Sequence, residues 1–293
     1  MREYPTFGER IFDVFNVIAL SLLMLVTLYP IYYVAISSIS NPTELMAHKG
    51  MIWFPQGLSL KAYSMVFDNP MILKGYGNTL FIVIVGLLFN LTLTAFGAYA
   101  LSRKGLYYRK QLTLFIIFTM FFSGGLIPYY LTVKGLGLTN TVWALIIPQA
   151  INTFNLIIMR TTFQAIPDSL EESAKIDGAN DFVILFRIII PISLPIMAVM
   201  ILYYGVSHWN SWFNAMIFLR NRELFPLQLI LREILISGET AGMVTGAESG
   251  DMVMLAETLK YATIMIATLP ILFVYPFLQK YFVKGALLGA IKG

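Results

Sequence analysis

Residues 171–195 read Glu-Glu-Ser-Ala-Lys-Ile-Asp-Gly-Ala-Asn-Asp-Phe-Val-Ile-Leu-Phe-Arg-Ile-Ile-Ile-Pro-Ile-Ser-Leu-Pro, and this stretch determines how the chain is organised. It opens with a short polar segment and continues into an apolar run that contains Pro191 and Pro195. Another long apolar segment precedes it, at about 141–159. A polar segment between two apolar segments of membrane-spanning length predicts a short surface helix that connects two spanning helices.

The connecting loop, residues 160–181, contains signals for both ends of that short helix. Pro167 disfavours helical geometry in the residue before it, so the preceding helix should end there. Ser169 and Glu172 have the spacing of a capping box, which predicts that the short helix begins at Ser169. Gly178 can supply the left-handed residue that ends it.

The overall composition agrees with a membrane location. Apolar residues make up 58% of the 293 residues, and charged residues only 12%. Soluble domains carry roughly 25% charged residues, so this chain has too little polar surface to fold in water. Irregular backbone cannot face lipid, so apolar segments of roughly 20 residues span as helices. The sequence predicts an all-α membrane protein with one domain, 14–282, whose six transmembrane helices lie at about 14–39, 79–101, 112–131, 141–159, 182–206 and 259–282.

The placement of Lys and Arg predicts the orientation of these spans. The short loop between the second and third spans contains Arg103, Lys104, Arg109 and Lys110. The loop between the third and fourth contains only Lys134, so we expect it outside and the former in the cytoplasm. Alternation then places loop 160–181 and the two tails, 1–13 and 283–293, in the cytoplasm. The outer loops 40–78 and 213–258 either dock a soluble protein or merely connect spans.

Two kinds of residue predict interruptions within the spans. Pro191 and Pro195 each remove a backbone donor and permit a kink, and Pro270 and Pro276 do the same in the sixth span. Gly124–Gly125 in the third span is a close-packing or kink position.

The order of residues in the connecting loop resembles a known signature. Glu172-Ser-Ala-Lys-Ile-Asp177-Gly-Ala179, followed by two prolines, is similar to the EAA signature of permeases in binding-protein-dependent importers of the ATP-binding-cassette (ABC) superfamily. Ser173 stands where that family usually has Ala, which keeps a small side chain. Residues 282–293 resemble the tail of the maltose-type sugar-permease branch. Residues 2–13 resemble the start of permeases for polysaccharide fragments, including pectin-derived oligosaccharides and alginate.

This resemblance implies the type I importer permease fold in a bacterial cytoplasmic (inner) membrane, with a cytoplasmic coupling helix. It implies four kinds of partner: a paralogous permease as a heterodimer, two ABC ATPase subunits that bind ATP and Mg²⁺, an extracytoplasmic solute-binding protein, and an oligosaccharide or polysaccharide substrate. The residues expected to contact the ATPases are Ser169, Leu170, Glu171, Glu172, Ala174, Asp177, Gly178 and Ala179.

The sequence contains no chemistry of its own that would make the chain an enzyme. It has no G-x-x-x-x-G-K-[ST] motif to bind ATP phosphates, and no cysteine. Its two histidines, His48 and His208, do not have the spacing of metal ligands. No cluster of Lys and Arg suggests a nucleic-acid partner. We therefore expect no cofactor and no metal on this chain, and ATP hydrolysis on separate subunits.

Polar and aromatic residues within the spans are candidates for a sugar path, because amides, hydroxyls and aromatic faces suit sugar rings. They are Asn90, Gln149, Asn152, Asn155, Tyr203, Tyr204, His208, Trp209 and Asn210. Gln149, Asn152 and Asn155 recur at intervals of three and predict a polar stripe on one helix. Hydrogen bonds between helices explain these amides equally well, an interfacial aromatic belt explains Trp209, and the partner permease is an equally good place for the substrate site.

An ion-coupled secondary sugar carrier is the alternative function. Carriers of that kind usually keep an acidic residue near the membrane midplane, where a charge is costly unless it functions. None of the six predicted spans has an Asp or Glu at its middle, which disfavours this alternative.

Overall fold

The computed structural model describes residues 7–237 and 249–290, and their side chains except those of residue 237, residues 249–255 and residues 278–290. The predicted cytoplasmic tails therefore lie partly outside the described residues, as does part of the predicted outer loop 213–258.

In the described part of the chain every regular element is a helix, and one isolated antiparallel bridge pairs Ser40 with Leu58. The first eight helices are α1 (Phe7–Ser38), α2 (Pro42–Ala47), α3 (Lys61–Asp68), α4 (Pro70–Ser102), α5 (Arg109–Phe121), α6 (Leu126–Gly135), α7 (Trp143–Ile146) and α8 (Thr153–Gln164). The others are α9 (Asp168–Ile176), α10 (Asp181–Ile184), α11 (Ile190–Ile192), α12 (Leu194–Trp209), α13 (Phe213–Phe218), α14 (Leu227–Ser237) and α15 (Ser249–Ala290). Short 3₁₀ turns cover Ile147–Gln149 and Arg222–Leu224, and a π-helical turn covers Leu185–Ile189.

Three described helices are long and apolar enough to cross a membrane: α1, α4 and the part of α15 from Ala256 to Phe277. Two bent pairs, α5 with α6 and α10–α11 with α12, each provide one more span if the pair crosses together, which makes up to five. The predicted fourth span, 141–159, is divided among α7, a 3₁₀ turn and α8, and none of these pieces reaches the length of a span. The count of six stays a prediction.

Two interruptions lie where glycine and proline predict them, whereas the one within the fourth segment was not predicted and the prolines of α15 do not interrupt that helix. The axes of α5 and α6 differ by 114°, and between them Gly125 adopts φ +84°, which glycine adopts without strain. The segment Asp181–Ile192 and α12 differ by 86°, at the pair Pro191 and Pro195. Helix α15 continues through its two internal prolines.

The chain divides into two compact units, one with the residues before Pro70 and Glu233–Thr268, the other with Pro70–Arg232 and the residues from Leu269. The first unit has a small core of Ile36, Leu45 and Ile52. Tyr33 packs against it and contacts Tyr261 edge-on, with ring centroids 5.8 Å apart.

The second unit is organised around α4, which packs against α8 and α12. Small residues on α4 allow the helices to approach closely, as is common in membranes. A Cβ at Gly97 would lie 3.0 Å from Leu156 of α8, and one at Gly86 would lie 2.5 Å from His208 of α12. The core of this unit therefore depends on α4 having no side chain at these positions.

The close approach at Gly86 predicts a cost for adding one methyl group. In Gly86→Ala the methyl group must displace His208, so we expect the free energy of unfolding to fall by about 1–3 kcal/mol. Gly77→Ala is the matched control on the same helix, because a Cβ there has nothing within 4 Å. SDS titration of the purified variants in mixed micelles measures both. An equal loss at the two positions would contradict the packing of α4 on α12.

Candidate functional site

The polar loop forms a short helix, α9, whose N-cap lies two residues earlier than the capping box requires. Its N-cap is Pro167, with no capping bond from a side chain, so the box between Ser169 and Glu172 is not made. Asp168 is the first helical residue, and Lys104 of the loop between α4 and α5 lies 2.5 Å from its carboxylate. The prediction of a helix is confirmed, and the prediction of its starting residue is wrong, because Pro167 already has the extended geometry of an N-cap.

The end of α9 is as the sequence predicts. Gly178 has φ +82°, and its amide donates to the carbonyl of Lys175 over 3.0 Å. The amide of Ala179 donates to the carbonyl of Ala174 over 2.9 Å, which completes a Schellman motif. The next helix begins immediately, because the Asn180 side chain accepts a hydrogen bond from the Val183 amide over 2.9 Å.

One face of α9 points into the protein. The side chain of Glu171 is only 12% exposed; it accepts a hydrogen bond from Arg103 and forms a 2.8 Å ion pair with Lys175. Burial alone raises the pKa of Glu171, but the hydrogen bonds and charges of Lys175 and Arg103 outweigh burial, so its pKa lies below the usual value. Its contribution to holding α9 is therefore present above the unfolded-state pKa and is lost as pH falls through the lowered value. Ala174 is buried in the same core as Phe163.

Glu171 and Ala174 therefore contact their own chain. That these two residues also contact an ATPase stays a prediction. Leu170, in the first turn of α9, is 42% exposed. Asp177 and Gly178 are exposed, and Ala179 is partly buried.

The opposite face of α9 is open. Ser169, Glu172, Ser173 and Ile176 are all exposed, and their spacing of three, four and seven residues places them on one helix face. The side chain of Ile176 is 86% exposed, a large value for an apolar residue on a charged helix. The sequence analysis missed Ile176, although its spacing from Ser169 could have identified it.

A polar cavity of about 640 Å³ lies in the second unit. Gln149, Asn152 and Asn155 line it on one side, and Tyr203, Tyr204 and His208 of α12 on the other. The predicted stripe thus converges on one cavity, but not along one helix. Asn152 is the N-cap of α8 and accepts a hydrogen bond from the Asn155 amide over 3.1 Å. The three residues therefore lie on both sides of a break in helical structure between Gln149 and Thr153.

The remaining described residues around this cavity are apolar or uncharged: Pro148, Ile151, Phe154, Leu202, Val206 and Ser207. Phe154 and Ser207 were missed by the sequence analysis. The described lining contains no Asp, Glu, Lys or Arg. The cavity can therefore bind a ligand through hydrogen bonds and aromatic contact, but it offers no counter-charge.

Asn90 of α4 holds the break in place. Its side-chain amide donates to the carbonyls of Gln149, over 2.7 Å, and Ala150, over 3.0 Å. Its side-chain oxygen lies 2.7 Å from Nε2 of His208. Asn90 is fully buried and does not line the cavity, so it supports the cavity wall without facing a ligand.

Tyr204 has a similar supporting role on α12. Its hydroxyl is 2.8 Å from the hydroxyl of Thr94 and accepts a hydrogen bond from the Asn152 amide over 3.0 Å. Asn90 and Tyr204 therefore both form hydrogen bonds between helices.

Two of the predicted path residues lie away from the polar cavity. Trp209 is buried and packs edge-on against Tyr76, with ring centroids 6.2 Å apart, beside a separate apolar cavity of about 400 Å³. Asn210 is exposed at the end of α12 and lines neither of these cavities.

Comparison with known proteins places this geometry in context. The family model "Binding-protein-dependent transport system inner membrane component" matches residues 94–288. The chain is 42% identical to the polygalacturonan/rhamnogalacturonan transport system permease protein YtcP of Bacillus subtilis (strain 168), over 97% of this chain and 99% of that protein. It is 28% identical to the inner membrane ABC transporter permease protein YcjP of Escherichia coli (strain K12), over 94% of both.

Two solved structures are similar to the chain. One is a chain of a bacterial ABC transporter involved in the import of the acidic polysaccharide alginate, with a TM-score of 0.86 and 33% identity over 96% of this chain and 99% of that one. The other belongs to a bacterial alginate ABC transporter in complex with an alginate pentasaccharide-bound periplasmic protein. It has a TM-score of 0.54 and 16% identity over 88% of this chain and 96% of that one, which shows the fold alone.

The bonds of Asn90 predict a specific sensitivity. Asn90→Asp replaces the donating amide with an acceptor that faces two carbonyls, so we expect the free energy of unfolding to fall by about 1–3 kcal/mol. Asn210→Asp makes the same chemical change at an exposed position and should cost less than half as much. SDS titration of the two purified variants measures the difference. Unchanged stability of Asn90→Asp would show that the break in the fourth segment does not depend on this amide.

Proposed function

The chain belongs to the inner membrane components of binding-protein-dependent transport systems, and from this membership we propose that it is a permease subunit of an ATP-driven importer of oligosaccharides or polysaccharide fragments. The observation that carries the proposal is similarity over almost the whole chain to two sugar-transport proteins, at 42% and 33% identity. The polar, uncharged cavity supports it, because sugars are bound by amides, hydroxyls and aromatic rings.

The substrate we propose is an acidic glycan fragment of the pectin or alginate type. The names of the two similar transporters support this class. The cavity agrees with the hydroxyl groups of such a substrate but not with its carboxylates, since its described lining has no cation. In this proposal the paralogous permease or the extracytoplasmic binding protein neutralises the negative charge of the substrate's carboxylates.

The proposed mechanism uses the open face of α9 as the docking surface for an ATPase. Ile176 enters an apolar cleft of the partner, and Glu172 pairs with a cation on it. Closure of the ATPase dimer on ATP then moves α9 and tilts the spans that follow α4, and the cavity changes from facing inward to facing outward. Two ATPases, a second permease and a binding protein complete the complex, with both termini of this chain in the cytoplasm.

An ion-coupled secondary carrier is the weaker alternative. A carrier of that kind needs a titratable or ion-binding group beside its substrate, and the described lining of the polar cavity has no carboxylate. Membership of the chain in this family also disfavours a secondary carrier, because the family and the relatives named above are components of larger transport systems.

Reconstitution separates the two functions. In proteoliposomes that contain the chain, its paralogous permease, both ATPases and the binding protein, we expect ATP-dependent accumulation of a radiolabelled oligogalacturonide. The chain alone should be inert with ATP, with a proton gradient and with a sodium gradient. Gradient-driven uptake by the chain alone would establish the carrier instead.

The docking surface can be tested by matched substitutions. Ile176→Asp removes a burial worth about 1.5–3 kcal/mol at the interface, so co-purification of the ATPases and sugar uptake should each fall by about tenfold or more. Leu58→Asp is the control, because Leu58 is 82% exposed in the predicted outer loop. It should leave co-purification of the ATPases unchanged. ATPase binding that survives Ile176→Asp would place the docking surface elsewhere.

A further inference from the structure

We propose that Arg103 transmits the movement of α9 to α4, by holding Glu171, and that the chain thereby couples its cytoplasmic helix to the wall of the polar cavity. This inference rests on the proposed function, and it adds a positioning residue that the EAA-like loop does not contain. Arg103 follows directly after the last residue of α4, Ser102.

The guanidinium of Arg103 contacts three helices at once. It donates to the Glu171 carboxylate on α9, to the carbonyl of Phe163 on α8 over 2.9 Å, and to the hydroxyl of Ser102 on α4 over 2.9 Å. It also lies over the ring of Tyr99, 5.0 Å from the centroid. A planar group with five fixed donors suits this position, and a lysine could not make all of these contacts.

Burial distinguishes this ion pair from its neighbour. The side chains of Arg103 and Glu171 are 15% and 12% exposed, whereas those of Lys104 and Asp168 are 79% and 49% exposed. Exposed pairs contribute little, because water and salt screen them. Removing one partner of a buried pair leaves an uncompensated charge and is costly. Arg103 with Glu171 is therefore the stronger attachment of α9 to the end of α4.

The same cluster includes the start of the fifth segment. Lys175 of α9 lies 3.7 Å from the carboxylate of Asp181, the first residue of α10. The hydroxyl of Tyr99 donates to the same carboxylate oxygen, Oδ1 of Asp181, over 3.3 Å. A displacement of α9 is thus passed to α4 and to α10 through side chains.

Helix α4 can carry that displacement to the cavity. It is one continuous helix from Pro70 to Ser102, and Asn90 lies 13 residues before Arg103, which is about 20 Å along the axis. Asn90 holds the two carbonyls at the break beside the cavity. One rigid helix therefore joins the ion pair at the cytoplasmic end to the hydrogen bonds that shape the cavity wall.

The test uses the complete importer in proteoliposomes, with an oligogalacturonide as substrate, and measures ATP hydrolysed, sugar imported and complex co-purified. In Arg103→Gln and in Glu171→Gln we expect assembled complex whose ATP hydrolysis continues while uptake falls, so that ATP used per sugar rises by about tenfold. Lys104→Gln, the exposed neighbour, should leave this ratio unchanged.

The double variant Arg103→Gln/Glu171→Gln distinguishes a coupling pair from two independent effects. Because both changes remove the same link, the double variant should have a ratio no higher than that of either single variant. The double variant leaves no unpaired buried charge. If a single variant fails to assemble, the ratio of ATP to sugar in the double variant is enough to test the proposal.

Two results would overturn the inference. They are an unchanged ratio of ATP to sugar in the double variant, including the case in which hydrolysis and uptake fall in proportion, and additive effects of the two substitutions on this ratio. A proportional loss would mean that the pair only maintains the fold. Absence of ATP-dependent uptake by the unmodified complex is a different failure, because it would overturn the proposed function and, with it, the inference.

Discussion

Backbone groups at membrane depth must find hydrogen-bond partners within the protein, and this requirement governs the described structure. A continuous helix such as α4 meets it by itself. The fourth segment does not, because it stops after Ile147–Gln149 and restarts at Thr153. The carbonyls and the amide released there are bonded by side chains of two neighbouring helices, Asn90 from α4 and Tyr204 from α12.

The break and the cavity have the same cause. Irregular backbone at membrane depth is tolerated where it is buried in protein or lines a cavity. Here the interrupted segment places Gln149, Asn152 and Asn155 around one cavity. The side chains that satisfy the backbone thus also fix where polar groups are available to a ligand.

The sequence predicted the local features of the fold well, because those depend on single residues. Gly178 ends α9, and Pro191 with Pro195 marks the sharp bend before α12. It predicted less well where a short-range pattern has two meanings. Asn152 fits a polar stripe on a helix and also fits an N-cap. The residues that bond the interrupted backbone, Asn90 and Tyr204, lie more than 50 residues away from it in the chain.

The orientation of α9 was the harder prediction for the same reason. Helical spacing separates Glu171 from Glu172 by about 100° around the axis, but it does not tell which of the two faces inward. That choice is made by Arg103, 68 residues earlier in the chain, whose charge the sequence analysis had used only to assign the loop to the cytoplasm. Arg103, which the sequence analysis used to predict the orientation of the spans, therefore also orients a helix in the folded protein.

Two adjacent carboxylates on α9 consequently serve different contacts. Glu171 is shielded from water by its own chain, so salt screens its bond with Arg103 less than it screens an exposed pair. Glu172 is exposed, so any pair that it makes with a partner forms and breaks in contact with solvent. In the proposed mechanism a second protein moves α9, and this requires that the inner contact be stronger than the outer one. If the outer contact were the stronger, a partner's stroke would pull α9 away from α4 and the cavity would not respond.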